Sequence, residues 1–517
     1  MIAQRPSRSS VIALLLSINA LSATVAGAQE RQSIFDRVVQ VEETLVTEIP
    51  ETPRWEEQLD LTVRHVDVGD AELYVEEEGA GADVPLVLIN GGPGGTHHQF
   101  HPWFGRAAQF ARVIYYDQRG TGLSDYEPGA DGYSVEQAVD DLEALRAALG
   151  VEKWVLAGFS YGGFLAQYYT TTYPENVAGL VLVGASPGMW VDTGRSRQYD
   201  FISQAEFDRM GEIRTELREL REREGWSYAK YIRLLVYNNH LNGDWKRQNY
   251  YKPTPTELAR MALYEWVQDA DFNSIMSQSQ GKVDLTGAFD ESPIPTLILE
   301  GKWDLTWGEA KPTILSRNHP NARMVVIERA GHSIYDENPD AFFAELEAFV
   351  RDLQPVDAAA IGAFRQHLAG WRSRWMGSPL YYMRGAGWGR SGSEQIVAAY
   401  QPSWLEELER PLDLLRLGCA LYDAQRYEEA LQAFVRLEEV SQESGDLDWE
   451  VVGIIWQGQM LDLLGRREEA IATYQRVVDM NPEGSMRHDQ YGLSYEYGPY
   501  AAERLRAPFQ RLENSWP

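Results

Sequence analysis

Residues 155–164 read VLAGFSYGGF: an apolar run that ends on a serine set between glycines. Gly158, Ser160 and Gly162 form a G-x-S-x-G spacing. In that pattern a strand turns sharply into a helix and lifts a serine hydroxyl above a sheet. The turn strains the serine backbone, so the positions two before and two after it must be small. A five-residue pattern this loose also arises by chance, and its surroundings have to decide.

Those surroundings alternate. LTVRHVDVG and AELYVEEEG read as an antiparallel pair, VPLVLING (84–91) and RVIYYDQRG (112–120) as buried strands. SVEQAVDDLEALRAALG repeats apolar residues at helical spacing and stops at Gly150. KWVLAGFS, YGGFLAQYYTTTYP and VAGLVLVGAS continue as strand, helix and strand. Alternation of this kind builds a mostly parallel sheet covered on both faces. It breaks over 187–291, where helical stretches rich in charge and aromatics predict a cap above the strand ends. It returns with IPTLILEG (294–301), ARMVVIERAGH (322–332) and a closing helix. The core is therefore assigned to 59–186 and 292–354, with a helical segment before it over 29–58.

The C-terminal third reads differently. After a linker over 355–400, GCALYDAQRYEEALQAF (418–434) recurs as GQMLDLLGRREEAIATY (458–474). Gly418 matches Gly458, Ala430 matches Ala470, Phe434 matches Tyr474, and Pro482 closes the second copy. These are the glycine, alanine, aromatic and proline positions of a tetratricopeptide repeat. An all-α domain of such repeats is expected over 401–482, with a tail over 483–517. Two repeats seldom stand alone. They pack on their neighbour, self-associate, or bind a peptide partner.

A length of 517 residues asks for more than one core. The net charge of −30 disfavours nucleic acid and anionic membrane as partners. Arg5 and Arg8, the run VIALLLSINAL and the small residues Ala26-Gly27-Ala28 have the layout of a signal peptide over 1–28. A periplasmic or secreted protein is expected, with no membrane span. The single cysteine, Cys419, allows no internal disulfide and supplies no lipid attachment near the cleavage site.

A serine nucleophile needs a base, an orienter for that base, and donors for the oxyanion. Asp304 follows one predicted strand end and His332 the next, in the order serine, acid, histidine. Asp304 would fix the tautomer of His332, whose Nε2 would take the Ser160 proton. Tyr161 would offer its backbone N–H at a helix start, and Gly92, in NGGPGG, the second donor. Trp103, Phe159, Trp303, Trp307 and Tyr335 flank these motifs and would line an apolar pocket or belong to the core.

Taken together, NGGPGG, DQRGTGLSD, GFSYGG, the Asp304 loop and the Gly331-His332 pair resemble the proline iminopeptidase family. The likeness covers about residues 60–352. It implies an α/β-hydrolase fold with a helical cap insertion, joined here to the all-α tetratricopeptide-like domain. It implies Ser160, Asp304 and His332 as triad, Gly92 and Tyr161 as oxyanion hole, no metal or organic cofactor, and release of an N-terminal residue, proline first, from short peptides. Family members of one type hold the substrate ammonium with glutamates beside the catalytic aspartate and in the cap. This chain has Leu305 beside Asp304, and Asn90 where the glycine loop usually opens with histidine. Glu265, in the cap, is the candidate replacement acid. A carboxylesterase or lactonase of the same fold is the alternative, and a repeat-based binding protein with a vestigial hydrolase the non-enzyme rival.

Three further features have plain expectations. His97, His98 and His101 in THHQFH have no acidic partner at metal-ligand spacing, which points to a surface or pocket-rim role. Asp117 and Arg119 are expected to pair locally and brace their loop. Glu76, Glu77 and Glu78 are expected on a solvated turn.

Overall fold

Eight strands, β1 (Thr62–Asp67), β2 (Glu72–Glu78), β3 (Leu86–Ile89), β4 (Val113–Tyr116), β5 (Trp154–Phe159), β6 (Val177–Val183), β7 (Thr296–Gly301) and β8 (Ala322–Ile327), form one sheet. Their order is β1-β2-β4-β3-β5-β6-β7-β8. The first two pairings, β1 with β2 and β2 with β4, are antiparallel, and every other pairing is parallel. This computed structural model describes residues 31–36, 42, 44–79, 85–126, 132–188, 196–385, 390–482, 484–488 and 493–511. The expected signal peptide lies outside the described residues.

Burial follows position in the sheet. All residues of β3, β4, β5 and β7 are buried, as befits parallel strands covered on both faces. The edge strands β1 and β8 are mostly open. Strand order reverses between β3 and β5, the crevice at which open α/β sheets bind ligands. The parallel register sets Ile89 beside Gly158, so the glycine loop and the Ser160 turn leave the sheet side by side.

The chain divides into two compact units. One holds residues up to 187, 191–273 and 292–361; the other holds 188–190, 274–291 and 362–517. Cap helices Gln204–Glu224 and Tyr228–Leu241 belong to the first unit. Residues 274–291, assigned to the cap on sequence, group with the C-terminal unit instead.

Three other expectations are corrected. No helix occurs among the described residues of 29–58: that stretch runs as turns and extended chain, held by side chains such as Asn238, which bonds the Val46 backbone in both directions. The supposed linker is largely helical, over Ala358–Met376, Pro379–Gly385 and Arg390–Ala399, and its apolar residues Met383 and Ile396 join the C-terminal core. The tail carries a two-stranded pair, Ser485–His488 with Leu493–Glu496, and a helix Tyr497–Arg504.

Within the second unit, helices Pro411–Asp423, Tyr427–Ser444, Leu447–Leu463 and Arg467–Met480 repeat one packing device. A methyl group on Gly418 would come within 2.4 Å of the Phe434 ring, and one on Gly458 within 2.5 Å of Tyr474. The turns match as well: Arg426 N–H bonds Leu421 O at 2.9 Å, and Arg466 N–H bonds Leu461 O at 2.8 Å. Among the described residues no helix is long and apolar enough to cross a membrane.

Candidate active site

Ser160 joins β5 to the helix Tyr161–Thr172 at φ 54° and ψ −116°, a left-handed conformation costly for any residue with a Cβ. The strain is held from three sides. Ser160 N–H bonds Val183 O, and its carbonyl accepts from the Gly163 and Ser186 N–H groups. The motif glycines are required sterically. A methyl on Gly158 would sit 2.2 Å from Gly162 O, and one on Gly162 would sit 2.0 Å from Ile89 O. Nothing larger than glycine fits where helix and strand cross this closely.

Asp304 and His332 follow β7 and β8, at the same sheet edge as Ser160. His332 Nδ1 lies 2.8 Å from Asp304 Oδ2, and both side chains are buried. The His332 ring packs against Phe159 with centroids 4.9 Å apart, and a methyl on Gly184 would meet its Nδ1 at 3.2 Å. The histidine loop is braced from below by the buried Glu337 carboxyl, which accepts from Gly331 N–H at 2.5 Å and Tyr251 N–H at 2.8 Å. His332 N–H itself donates to Gln248 O.

Sequence reasoning missed the next layer. Lys311 opens the helix Lys311–Asn318, fully enclosed, with Nζ 3.2 Å from Asp304 Oδ2 and 2.6 Å from Glu300 Oε2. Asp304 Oδ1 accepts the Thr306 N–H at 3.0 Å. Burial by itself would raise the Asp304 carboxyl, but the charges of His332 and Lys311 outweigh it and hold the group well below the usual carboxylate range. Burial likewise works against the Lys311 charge, and Glu300 and Asp304 override it and raise the ammonium. The one sequence signal was Glu300 itself, a carboxylate inside the otherwise apolar strand TLILEG.

The glycine loop turns on Gly92 at φ +128°. Asn90 anchors it, its Nδ2 donating to the carbonyls of Gly95 and Tyr116 at 3.1 Å each. Gln99 Oε1 accepts the Gly91 N–H. Among the described residues, no acceptor within the chain takes the Gly92 or Tyr161 backbone N–H. Two unused donors beside Ser160 are what an oxyanion requires.

The predicted pocket aromatics do not assemble as one wall. Phe159 stands at His332 and Tyr335. Trp103 packs on the sheet core, and Trp303 packs with Phe35 and Tyr250. Trp307 keeps a buried Nε1 with no hydrogen-bond partner. Glu265 closes a π-helical turn, Met261–Glu265, that runs against the glycine loop; its carbonyl accepts the Thr96 N–H. Desolvation pushes the Glu265 carboxyl up to about 8, and the charge of Asp336 adds to it. Asp336 is pushed by burial to about 7, and its Oδ1 is buried without a partner.

The plain expectations for the other charged residues fail. His97, His98 and His101 are all buried, as is Glu76 in the middle of β2. Asp117 takes His97 Nδ1 at 2.9 Å, while Arg119 takes Asp141 and Asp70, so the two loop residues brace different neighbours. Glu76 accepts from His101 Nε2 at 2.7 Å and from the Tyr74 hydroxyl. Burial disfavours a charged His97, but Asp117, Glu56 and Glu76 overcome it and lift the imidazole to about 10.

Residues 84–339 match the family model described as alpha/beta hydrolase fold. Proline iminopeptidase from Saccharolobus solfataricus is 26% identical over 272 residues, spanning 52% of this chain and 86% of that protein. Proline iminopeptidase from Neisseria meningitidis serogroup B is 27% identical over 304 residues, spanning 55% of this chain and 93% of its own length. Among solved structures, a meta-cleavage product hydrolase from Pseudomonas fluorescens IP01 is 22% identical, with 56% of this chain and 97% of that one covered at a TM-score of 0.40. The sheet order and the family match together make residues 84–339 an α/β-hydrolase domain, and the chain an enzyme of that superfamily.

Proposed function

We propose that this enzyme is a serine hydrolase that releases an N-terminal residue, proline first, from short peptides or amino-acid amides. The observation that carries the chemistry is the buried 2.8 Å Asp304–His332 bond beside a serine held at φ 54°. Ser160 attacks the carbonyl, and His332 takes its proton at Nε2 while Asp304 holds Nδ1–H. The tetrahedral oxyanion is met by the Gly92 and Tyr161 N–H groups. Collapse expels the amine with the proton from His332, and water then repeats the sequence on the acyl-enzyme.

The exopeptidase reading is supported by the curated relatives and by Glu265 and Asp336. Two half-buried acids with raised carboxyls, one with an unpartnered oxygen, would be ionised by an incoming substrate ammonium. The carboxylesterase or lactonase reading is favoured by the same pair if it stays protonated, since an uncharged wall suits an acyl chain. The discriminating experiment compares prolyl-amide chromogenic substrates with free and acetylated N-termini, with Ser160→Ala as blank. A strong preference for the free amine supports the aminopeptidase. Equal or better cleavage of the blocked substrate removes that reading, and esters are then assayed.

Two accompanying proposals complete the reading. Residues 1–28 direct export to the periplasm or medium. The four helices from Pro411 to Met480 form tetratricopeptide-like repeats that hold a peptide or a second copy. That reading is supported by the shared glycine–aromatic packing and by a groove of about 570 Å³ lined by Leu405, Leu431, Val435, Glu428 and Arg436.

A further inference from the structure

Behind the glycine loop lies a second cluster of ionisable side chains that the hydrolytic reaction does not use. Glu56 comes from a turn in the N-terminal stretch, and His97 and His98 come from the short turn His97–Gln99 that follows the loop. One donor atom from each lies within 4.8 Å of the other two. His98 Nε2 is 3.1 Å from Glu56 Oε2, and His97 Nε2 is 3.9 Å from the same oxygen. All three atoms are buried and face one another and Glu76. At rest a proton on His97 balances these carboxylates; a metal ion held by the three donors would take that proton's place.

We infer that Glu56, His97 and His98 form a binding site for a divalent transition-metal ion of the Zn²⁺ class, with Glu76 as the adjoining carboxylate. Bonds to such an ion run about 2.0–2.2 Å, so donors around a tetrahedral ion stand about 3.3–3.6 Å apart, and the 3.1 and 3.9 Å contacts need only a small adjustment. Glu76 Oε1 lies 3.5 Å from His97 Nε2, on the same side as the open donors. Two imidazoles with one or two carboxylates favour Zn²⁺, Fe²⁺ or Ni²⁺ over Ca²⁺ or Mg²⁺, which seek oxygen alone.

The surroundings are those of a ligating histidine. His97 Nδ1 lies 2.9 Å from both oxygens of Asp117, and Asp117 also accepts the His97 and Leu123 backbone N–H groups. A carboxylate on Nδ1–H fixes the tautomer and aims the Nε2 lone pair at the ion. The His98 ring is stacked on Tyr264 at 5.0 Å, which sets its plane. The Tyr264 hydroxyl in turn donates to Thr52 O, and Arg260 lies over the Trp55 ring, so the chain leading into Glu56 is tied down. The ion would be structural. It would pin the N-terminal stretch to the turn that ends the glycine loop, and so hold the backbone at Gly92.

The test is metal content and thermal stability of the full purified chain. The protein is stripped with chelator, dialysed against Zn²⁺ or Co²⁺, and compared with Glu56→Gln and His98→Gln. Glu56 keeps 14% side-chain exposure, so its amide variant retains the fold even if His98→Gln does not. The inference expects one equivalent of Zn²⁺, a Tm that rises with Zn²⁺ concentration, visible Co²⁺ bands of a nitrogen–oxygen site, and affinity at least tenfold lower in Glu56→Gln. Asp117→Asn should weaken binding by about 10–100-fold, the usual effect of removing a carboxylate behind a ligating histidine. Absence of stoichiometric metal from Zn²⁺, Co²⁺, Ni²⁺ and Mn²⁺ overturns the inference. So does an equivalent that persists with unchanged affinity in Glu56→Gln.

Discussion

Two buried ionic clusters sit within the hydrolase unit, and they are built on opposite principles. Around Asp304, the chain supplies its own cation: Lys311 stands between Asp304 and Glu300, and the aspartate meets His332, Lys311 and a backbone N–H. Around His97, three carboxylates and three histidines crowd together; Arg54 meets Glu56 Oε1 at 3.0 Å at the rim and leaves Glu56 Oε2 facing the rings. Desolvation penalises both. In the first, a fixed ammonium offsets it, which leaves the imidazole free to cycle a proton. In the second, a protonated His97 and the rim arginine Arg54 supply the positive charge, and a bound ion would take the place of the His97 Nε2 proton. Buried charge therefore has two meanings in one domain, told apart by which cation offsets it.

The comparison can be broken at either end. If the Asp304 cluster serves a reaction, Ser160→Ala should lose roughly 10⁴–10⁶-fold in kcat while keeping its circular dichroism spectrum and Tm. A fully active, folded alanine variant would end the serine mechanism. Next in size is Lys311→Met. Removing the internal cation leaves Glu300 and Asp304 facing each other, at a cost of about 3–5 kcal/mol in denaturant unfolding. The survivors should also show the acid limb of kcat/KM moved upward, because Asp304 then stabilises only the His332 imidazolium. A variant of unchanged stability would mean that Lys311 is not the counter-charge.

In the other cluster, Glu76→Gln removes the charge and replaces one of the two oxygens that meet His101 Nε2 and the Tyr74 hydroxyl with an amide donor, and about 1.5–3 kcal/mol of stability should go with it. No change would mean that the cluster is uncharged. The smallest effect is a slope. Glu265 and Asp336 have carboxyls raised in the folded protein, to about 8 and about 7. The stability they permit is complete below pH ~4.5 and declines as pH rises towards 8. Asp304, held low, acts in the opposite sense and gives way only in acid. Thermal melts from pH 5 to pH 8 should therefore fall, and Glu265→Gln should flatten the fall. An unflattened slope in that variant would place the titration elsewhere.

Much of the candidate site was legible because its geometry is local. Gly158 and Gly162 are small since helix and strand cross at Ser160, and a spacing of five residues records that crossing. Asp304 and His332 each follow an apolar run, and parallel strands deliver their C-terminal ends to one edge. Repetition did the same for Gly418 and Gly458, whose aromatic partners lie sixteen residues further along each copy. The boundaries read less well. The stretch 355–400 looked like a linker because its apolar residues are diluted by glycine, serine and tyrosine, yet helices over it bury Met383 and Ile396 completely or nearly so.

What the sequence determined by itself was the alternation of strand and helix, the serine turn, and the order of acid and base after it. Each is carried by neighbours along the chain, where periodicity and side-chain volume speak directly. Only the tertiary structure decided which charges meet. Glu56 is forty-one residues from His97, Glu76 twenty-one, and Lys311 and Glu300 approach Asp304 from different elements. A buried charge depends on a partner brought by the fold, and desolvation, which makes that partner obligatory, does not exist until the fold has formed.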